Sequence, residues 1–111
     1  MQKMSLDALV RTQLEAAAAA DSGRASVTVY GGHANTLRQT LIALVAGREL
    51  GEHESPGEAT LHVLRGRIRL VAGDDVWNGR QGDLLEVPPR SHRLEAAEDA
   101  VVLLTVAKPQ T

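Results

Sequence analysis

The stretch GRELGEHESPGEATLHVLRG, residues 47–66, decides how this chain folds, because it joins turn residues to a clean alternation and carries closely spaced polar side chains. Gly47, Gly51, Pro56 and Gly57 are turn and loop punctuation. From residue 59 to 64 the side chains alternate, with Ala59, Leu61 and Val63 on one face and Thr60, His62 and Leu64 on the other. The reading is a turn between two strands, with His53 just before the second strand, at the edge of whatever it encloses. Gly66, between Leu64 and Ile68, suits a tight turn that requires positive φ.

Upstream, residues 25–30 and 37–46 have an extended period, separated by Gly31-Gly32. In the second run, Leu37, Gln39, Leu41, Ala43 and Val45 share one face and Arg38, Thr40, Ile42 and Leu44 the other, which grows more apolar toward Gly47. Two partly apolar faces predict a strand covered on both sides, by a closed barrel on one and by a helix or partner on the other. Residues 6–20 supply that helix, with Ser5 as N-cap, Asp7 in the first turn, and Leu6, Leu9, Val10, Gln13, Leu14 and Ala17 at helical spacing.

Downstream, 67–71 alternates with Ile68 and Leu70 inward and Arg67 and Arg69 outward, followed by a turn at 72–75, Val76-Trp77 and an Asn78-Gly79 turn. A turn at 81–83 leads to a strand over 84–87 that Pro88-Pro89 ends; strands at 94–96 and 101–106 flank an acidic turn at Glu98-Asp99. Seven or eight short strands with repeated glycine turns predict an all-β sandwich or barrel. The expected interior is Leu61, Val63, Ile68, Leu70, Leu85 and Val87. No Gly-rich phosphate loop feeds a helix and no βαβ alternation is present, which disfavours nucleotide-binding α/β folds.

With 111 residues the chain reads as one domain: a helix and linker over 1–24, a barrel over 25–107 and a tail over 108–111. One Trp, one Tyr and no Phe leave Val, Leu, Ile and Ala to fill the core. A formal net charge of −2 gives no electrostatic case for nucleic acid, and stacking platforms are missing. No apolar run approaches the ~20 residues that span a bilayer. The first residues lack a secretory signal and there is no cysteine, so a cytoplasmic location without disulfide or thiol chemistry is expected.

These residues resemble the cupin family, whose first motif is glycine, five residues, histidine, one residue, histidine, three or four residues, glutamate, six residues, glycine. Gly47, His53 and Gly66 fall on it; Ser55 stands at the second histidine and Ala59 at the glutamate, with Glu58 one residue out of register. In the second motif, glycine, five residues, proline, one residue, glycine, two residues, histidine, three residues, asparagine, Gly82 and Pro88 match. Arg90 replaces the glycine, His92 comes one residue early, and Ala96 takes the asparagine position. The resemblance covers roughly residues 37–106. It implies a double-stranded β-helix, or jelly-roll, barrel with one N-terminal helix, and a homodimer paired through a sheet.

The family holds a divalent metal with imidazoles and a carboxylate, a donor set that suits Zn, Fe, Mn, Ni or Cu. Carried over by position, the metal ligands are His53 and His92. With Ser55 and Ala59 unable to complete the set, one weakly bound metal is expected, needing rescue from Glu52, Glu54, Glu58, His33 or water. The plainer reading keeps His53 and His92 as polar residues at a barrel mouth. Arg90 offers a bidentate donor pair to a carboxylate at that mouth, so Arg90 and His92 are the candidate ligand-binding residues. Arg93, Arg65, Arg67 and Arg69 read as surface charges, and His62 as packing. No nucleophile elbow or cysteine supports acyl transfer. The chain therefore reads as a small-molecule binding or sensing module with an incomplete metal site. The alternative is a metal-dependent enzyme, a dioxygenase, isomerase or decarboxylase acting on a small polar or carbonyl compound.

Overall fold

A computed structural model of the chain describes residues 3–54 and 57–108. Ser5 is the N-cap of α1 (Leu6–Ala19), its Oγ accepting the Ala8 N–H at 3.2 Å. Val10 and Ala17 are the buried residues of α1. With Leu6, Leu9 and Leu14 they pack on Leu41, Ala43, Val101 and Leu103. The helix therefore covers the outer face of a sheet, the role its apolar stripe predicts.

Among the described residues nine strands follow: β1 (Arg24–Tyr30), β2 (Leu37–Leu44), β3 (Glu49–His53), β4 (Glu58–Arg65), β5 (Arg67–Ala72), β6 (Asp75–Arg80), β7 (Leu84–Glu86), β8 (His92–Ala96) and β9 (Ala100–Ala107). They form a five-stranded sheet, β1-β2-β9-β4-β7, facing a four-stranded one, β3-β8-β5-β6. Every pairing is antiparallel. β2 is covered twice, as its two apolar faces predict: Leu41, Ala43 and Val45 meet the helix side, while Ile42 and Leu44 join the space between the sheets. That inner cluster also contains Leu61, Val63, Ile68, Leu70, Val87, Leu94, Ala96, Ala100 and Val102, with Leu85 partly buried against it. All six residues expected inside are there.

Chain direction sorts the interior by its two ends. β8 runs from His92 to Ala96, and after residues 97–99 β9 returns from Ala100 to Ala107. His92 and Ala107 therefore share an end. β3 reaches the same end at His53, β4 leaves it at Glu58, paired with Ala107, and β2 leaves it at Leu37, also paired with Ala107. This end is the mouth. The opposite, sealed end holds Leu44, Ile68, Ala96 and Ala100, each at most 3% exposed. Gly66 makes the β4–β5 turn there with φ 79°, and a Cβ on it would lie 2.1 Å from the Asp99 carbonyl oxygen.

Two sequence expectations are corrected. Asn78-Gly79 is not a turn but lies within β6, where Gly79 pairs with Ile68. A Cβ on Gly79 would meet Leu85, Ile68 and Val63 side-chain atoms at 2.9, 3.1 and 3.2 Å, so this glycine serves core packing rather than backbone reversal. Likewise Gly51 lies inside β3, and residues 49–53 are a strand where a loop was expected. His53 is thus the last residue of β3, not a loop residue ahead of the next strand.

Candidate functional site

β3 and β8 pair through Leu50↔Leu94 and His53↔His92, three steps on one strand against two on the other. The extra residue is a β-bulge. Without it, His53, at an odd spacing from inward-packed Leu50, would point to the opposite face of the sheet. With it, His53 comes directly opposite His92, on the face where Leu94 and Ala96 enter the core. The two rings lie edge to face, centroids 4.5 Å apart at 62°. His92 is 4% exposed, the one polar residue buried among the described residues; His53 is exposed at the rim.

Both rings are oriented the same way. Nδ1 of His53 lies 2.9 Å from the Gly51 carbonyl oxygen, and Nδ1 of His92 lies 2.8 Å from the Arg90 carbonyl oxygen. A carbonyl only accepts, so each neutral ring carries its proton on Nδ1 and presents the Nε2 lone pair. Backbone carbonyls fixing the far nitrogen is the arrangement that aims an imidazole at a metal or a hydrogen-bond donor.

Among the described residues, no third His, Cys, Asp or Glu joins these two to make a metal-holding group. Ala59 faces the interior from β4 and offers no donor. Glu58 is one position out on a strand regular at that point, and is exposed. Glu54 and His33 are exposed, His33 between β1 and β2. Ser55 lies outside the described residues. Glu52 faces outward, where its carboxylate accepts from Ser91 Oγ at 2.6 Å and Arg93 at 3.4 Å. The donors among the described residues thus do not fit a complete imidazole-and-carboxylate centre.

Arg90 stands at the rim, where its guanidinium pairs with the Asp75 carboxylate and ties the segment before β8 to the start of β6. The outer face of the four-stranded sheet carries a chain of charges. Arg93 bonds Glu95 at 2.9 Å and Glu52 at 3.4 Å, and Arg69 bonds Glu95 at 3.0 Å. Hydrogen bonds from Arg93 and then Arg69 hold the Glu95 carboxyl below its ordinary value. Glu52 is lowered too, first by the Ser91 hydroxyl and then by Arg93, while Glu95 raises Arg93. Next to the mouth, a cleft of about 860 Å³ runs along the seam between β6 and β7, lined by Val76, Trp77, Leu85, Val87 and Pro88 among others. It reaches the rim through Arg90, and neither histidine lines it.

Of the residues expected at the site, His53 and His92 are brought together and Arg90 is placed at the rim. The residue that sequence reading passed over is Arg38. A charge on the β2 face that becomes Ile42 and Leu44 toward the other end was the signal for it, since such a face turns inward.

No curated protein sequence matches the chain. The family model of the cupin domain matches residues 40–107. A conserved protein of unknown function from Streptococcus pyogenes is 28% identical, with a TM-score of 0.73 over 83% of this chain and 80% of that one. An RmlC-like cupin from Desulfovibrio desulfuricans is 27% identical, with a TM-score of 0.66 over 78% and 84%. A salicylate 1,2-dioxygenase from Pseudaminobacter salicylatoxidans, 18% identical, reaches a TM-score of 0.74 over 90% of this chain and 33% of that one, a likeness of fold alone. No helix among the described residues is long and apolar enough to cross a membrane.

Proposed function

We propose the following reading for this chain, which belongs to the cupin family: it is a small-molecule binding or sensing module whose ligand is taken at the barrel mouth by the His53–His92 pair. The observation that carries it is the pair itself: two rings 4.5 Å apart with both Nδ1 atoms tied to backbone carbonyls, and no third metal donor beside them among the described residues. Two lone pairs held in place suit a ligand that donates hydrogen bonds. A divalent transition metal would be held weakly at the same atoms, with water filling the remaining positions.

The test is nitrogen NMR of the histidine side chains in tag-free protein while small polar molecules are screened, alongside elemental analysis. Ligands that shift the Nε2 signals of His53 and His92 together, in protein containing well under one metal per chain, are the expected result. A full equivalent of tightly bound metal would replace this reading by that of a metal-dependent enzyme.

The reading includes a homodimer. Val76, Trp77 and Leu84 are 50%, 40% and 69% exposed on the edge strands β6 and β7, apolar surface that a second copy would cover. Light scattering at micromolar concentration tests it, and a monomeric mass would remove this part.

A further inference from the structure

We propose that Arg38 is the anion-receiving residue of the mouth, and that the ligand class is a small carboxylate bearing a hydroxyl or N–H donor. This rests on the binding reading above and names the chemistry of what is bound.

Placement comes from register. On β2, Ile42 and Leu44 point into the inner cluster, and β2 pairs with β9 without a break from Leu37 to Leu44. Arg38, two and three strand periods before them, therefore lies on the same inner face. Its cross-strand partner is Val106, 4% exposed, whose other neighbour is Ala59. Arg38, Val106 and Ala59 form the last inward row of the five-stranded sheet before the mouth. At the side of the barrel, a cleft of about 440 Å³ is lined by Ser22, by Arg24, Ala25 and Ser26 of β1, by Thr40 and Ile42 of β2 and by Leu50 of β3, which places β2 and β3 on either side of the same opening. The next inward residue toward the mouth is Arg38 on β2 and, because of the bulge, His53 on β3.

The physical reason is an unmet demand. Arg38 Nε is buried and has no hydrogen-bond partner among the described residues. A buried donor left unpaired costs free energy, and a guanidinium cannot escape by losing its proton. The other arginines around the mouth and the neighbouring sheet face are paired: Arg90 with Asp75, Arg93 with Glu95 and Glu52, Arg69 with Glu95. Nε and a terminal N–H of one guanidinium match the two oxygens of a carboxylate. The Nε2 lone pairs of His53 and His92 accept, so the same ligand must bring a donor.

The experiment uses L-lactate, with lactamide removing the charge, propionate removing the hydroxyl, and inorganic phosphate as the competing oxyanion, titrated calorimetrically into the full chain. Expected is lactate binding at least about tenfold tighter than lactamide, propionate or phosphate, lost in Arg38→Met and weakened in Arg38→Lys. Without ligand, Arg38→Met should melt a few degrees higher, because the unpaired donor is gone and the aliphatic length is kept.

Undiminished lactate binding in Arg38→Met overturns the proposal, as does a ligand-free melting temperature several degrees lower, which would make Arg38 structural. Equal binding of lactate and lactamide, both lost in His92→Ala, overturns the carboxylate class and keeps the binding reading. Preference for phosphate, or no binding of any probe, overturns the proposal too, and the histidine NMR screen then decides the binding reading separately.

Discussion

The sealed end and the mouth of the barrel are made from the same strands and differ in what each strand points inward. On β2 the inner face reads Arg38, Thr40, Ile42, Leu44 from mouth to sealed end; on β8 it reads His92, Leu94, Ala96. At one end the inner residues are aliphatic and almost wholly buried. At the other, beside Ala59 and Val106, stand an arginine whose Nε has no partner among the described residues and two imidazoles whose Nδ1 atoms are tied to backbone carbonyls. Each strand therefore spends its one half on folding and its other half on polar groups that folding does not satisfy. The comparison predicts that substitutions at the two ends separate stability from binding.

The largest effect belongs to the sealed end. Leu44 is 1% exposed and among the largest fully buried side chains, so Leu44→Ala should cost about 2–5 kcal/mol, read as a lower urea midpoint with an unchanged slope. Lactate affinity of the remaining folded protein should stay within about twofold. A large affinity loss would mean that the ends are not separable.

Next is Gly66→Ala. A residue with a Cβ at φ 79° is strained, and here the added atom would also strike the Asp99 carbonyl oxygen at 2.1 Å. About 1–3 kcal/mol of destabilisation is expected, again by urea titration, with binding kept. At the mouth the pattern reverses. His92→Ala removes one backbone-tied hydrogen bond and should cost only about 1 kcal/mol, yet abolish ligand and metal binding detectable by calorimetry. If it costs as much as Leu44→Ala, His92 is a core residue first and the contrast between the ends collapses.

The sealed end was the legible one. Alternation in 59–64, the positive-φ glycine at 66 and the doubly apolar β2 each follow from local rules that hold whatever the rest of the chain does. Gly79 was read wrongly because an Asn-Gly pair signals a turn by backbone preference, whereas here the deciding fact is three side chains from other strands converging on its α-carbon. β3 was missed because Glu-Leu-Gly-Glu-His has weak strand preference and no alternation; its pairing with β8 and its bulge are tertiary facts. At the mouth, His53 and His92 were singled out only by the resemblance to the cupin motifs, and their facing each other depends on that bulge. That Arg90 meets Asp75, at the start of β6, is likewise a tertiary fact that nothing local shows.

The smallest effect tests what keeps the mouth assembled. β3 is an edge strand, five residues long and bulged, so few ladder bonds hold His53 opposite His92. On its outer side, Glu52 reaches Ser91 and Arg93, and Arg93 continues through Glu95 to Arg69 on β5. Glu95 is the hub, its side chain 22% exposed and its carboxyl held below the ordinary value of 4.5 by Arg93 first and Arg69 second. A lowered folded pKa means the unfolded chain takes up the proton first as pH falls. The stabilisation is thus complete above about pH 4.5 and fades as pH drops through the folded value; nothing is lost on the alkaline side. Partly exposed pairs of this kind are worth only tenths of a kcal/mol to about 1 kcal/mol. Glu95→Gln should therefore lower stability slightly at pH 7 and flatten its decline below about pH 4.5 relative to wild type, measured by urea titration at each pH. Amide exchange in residues 49–53 should quicken in the variant while that of residues 41–44, deep in the other sheet, does not change. Equal quickening in both segments would show the network supporting the barrel as a whole, and would remove any special tie between the charge chain and the histidine pair.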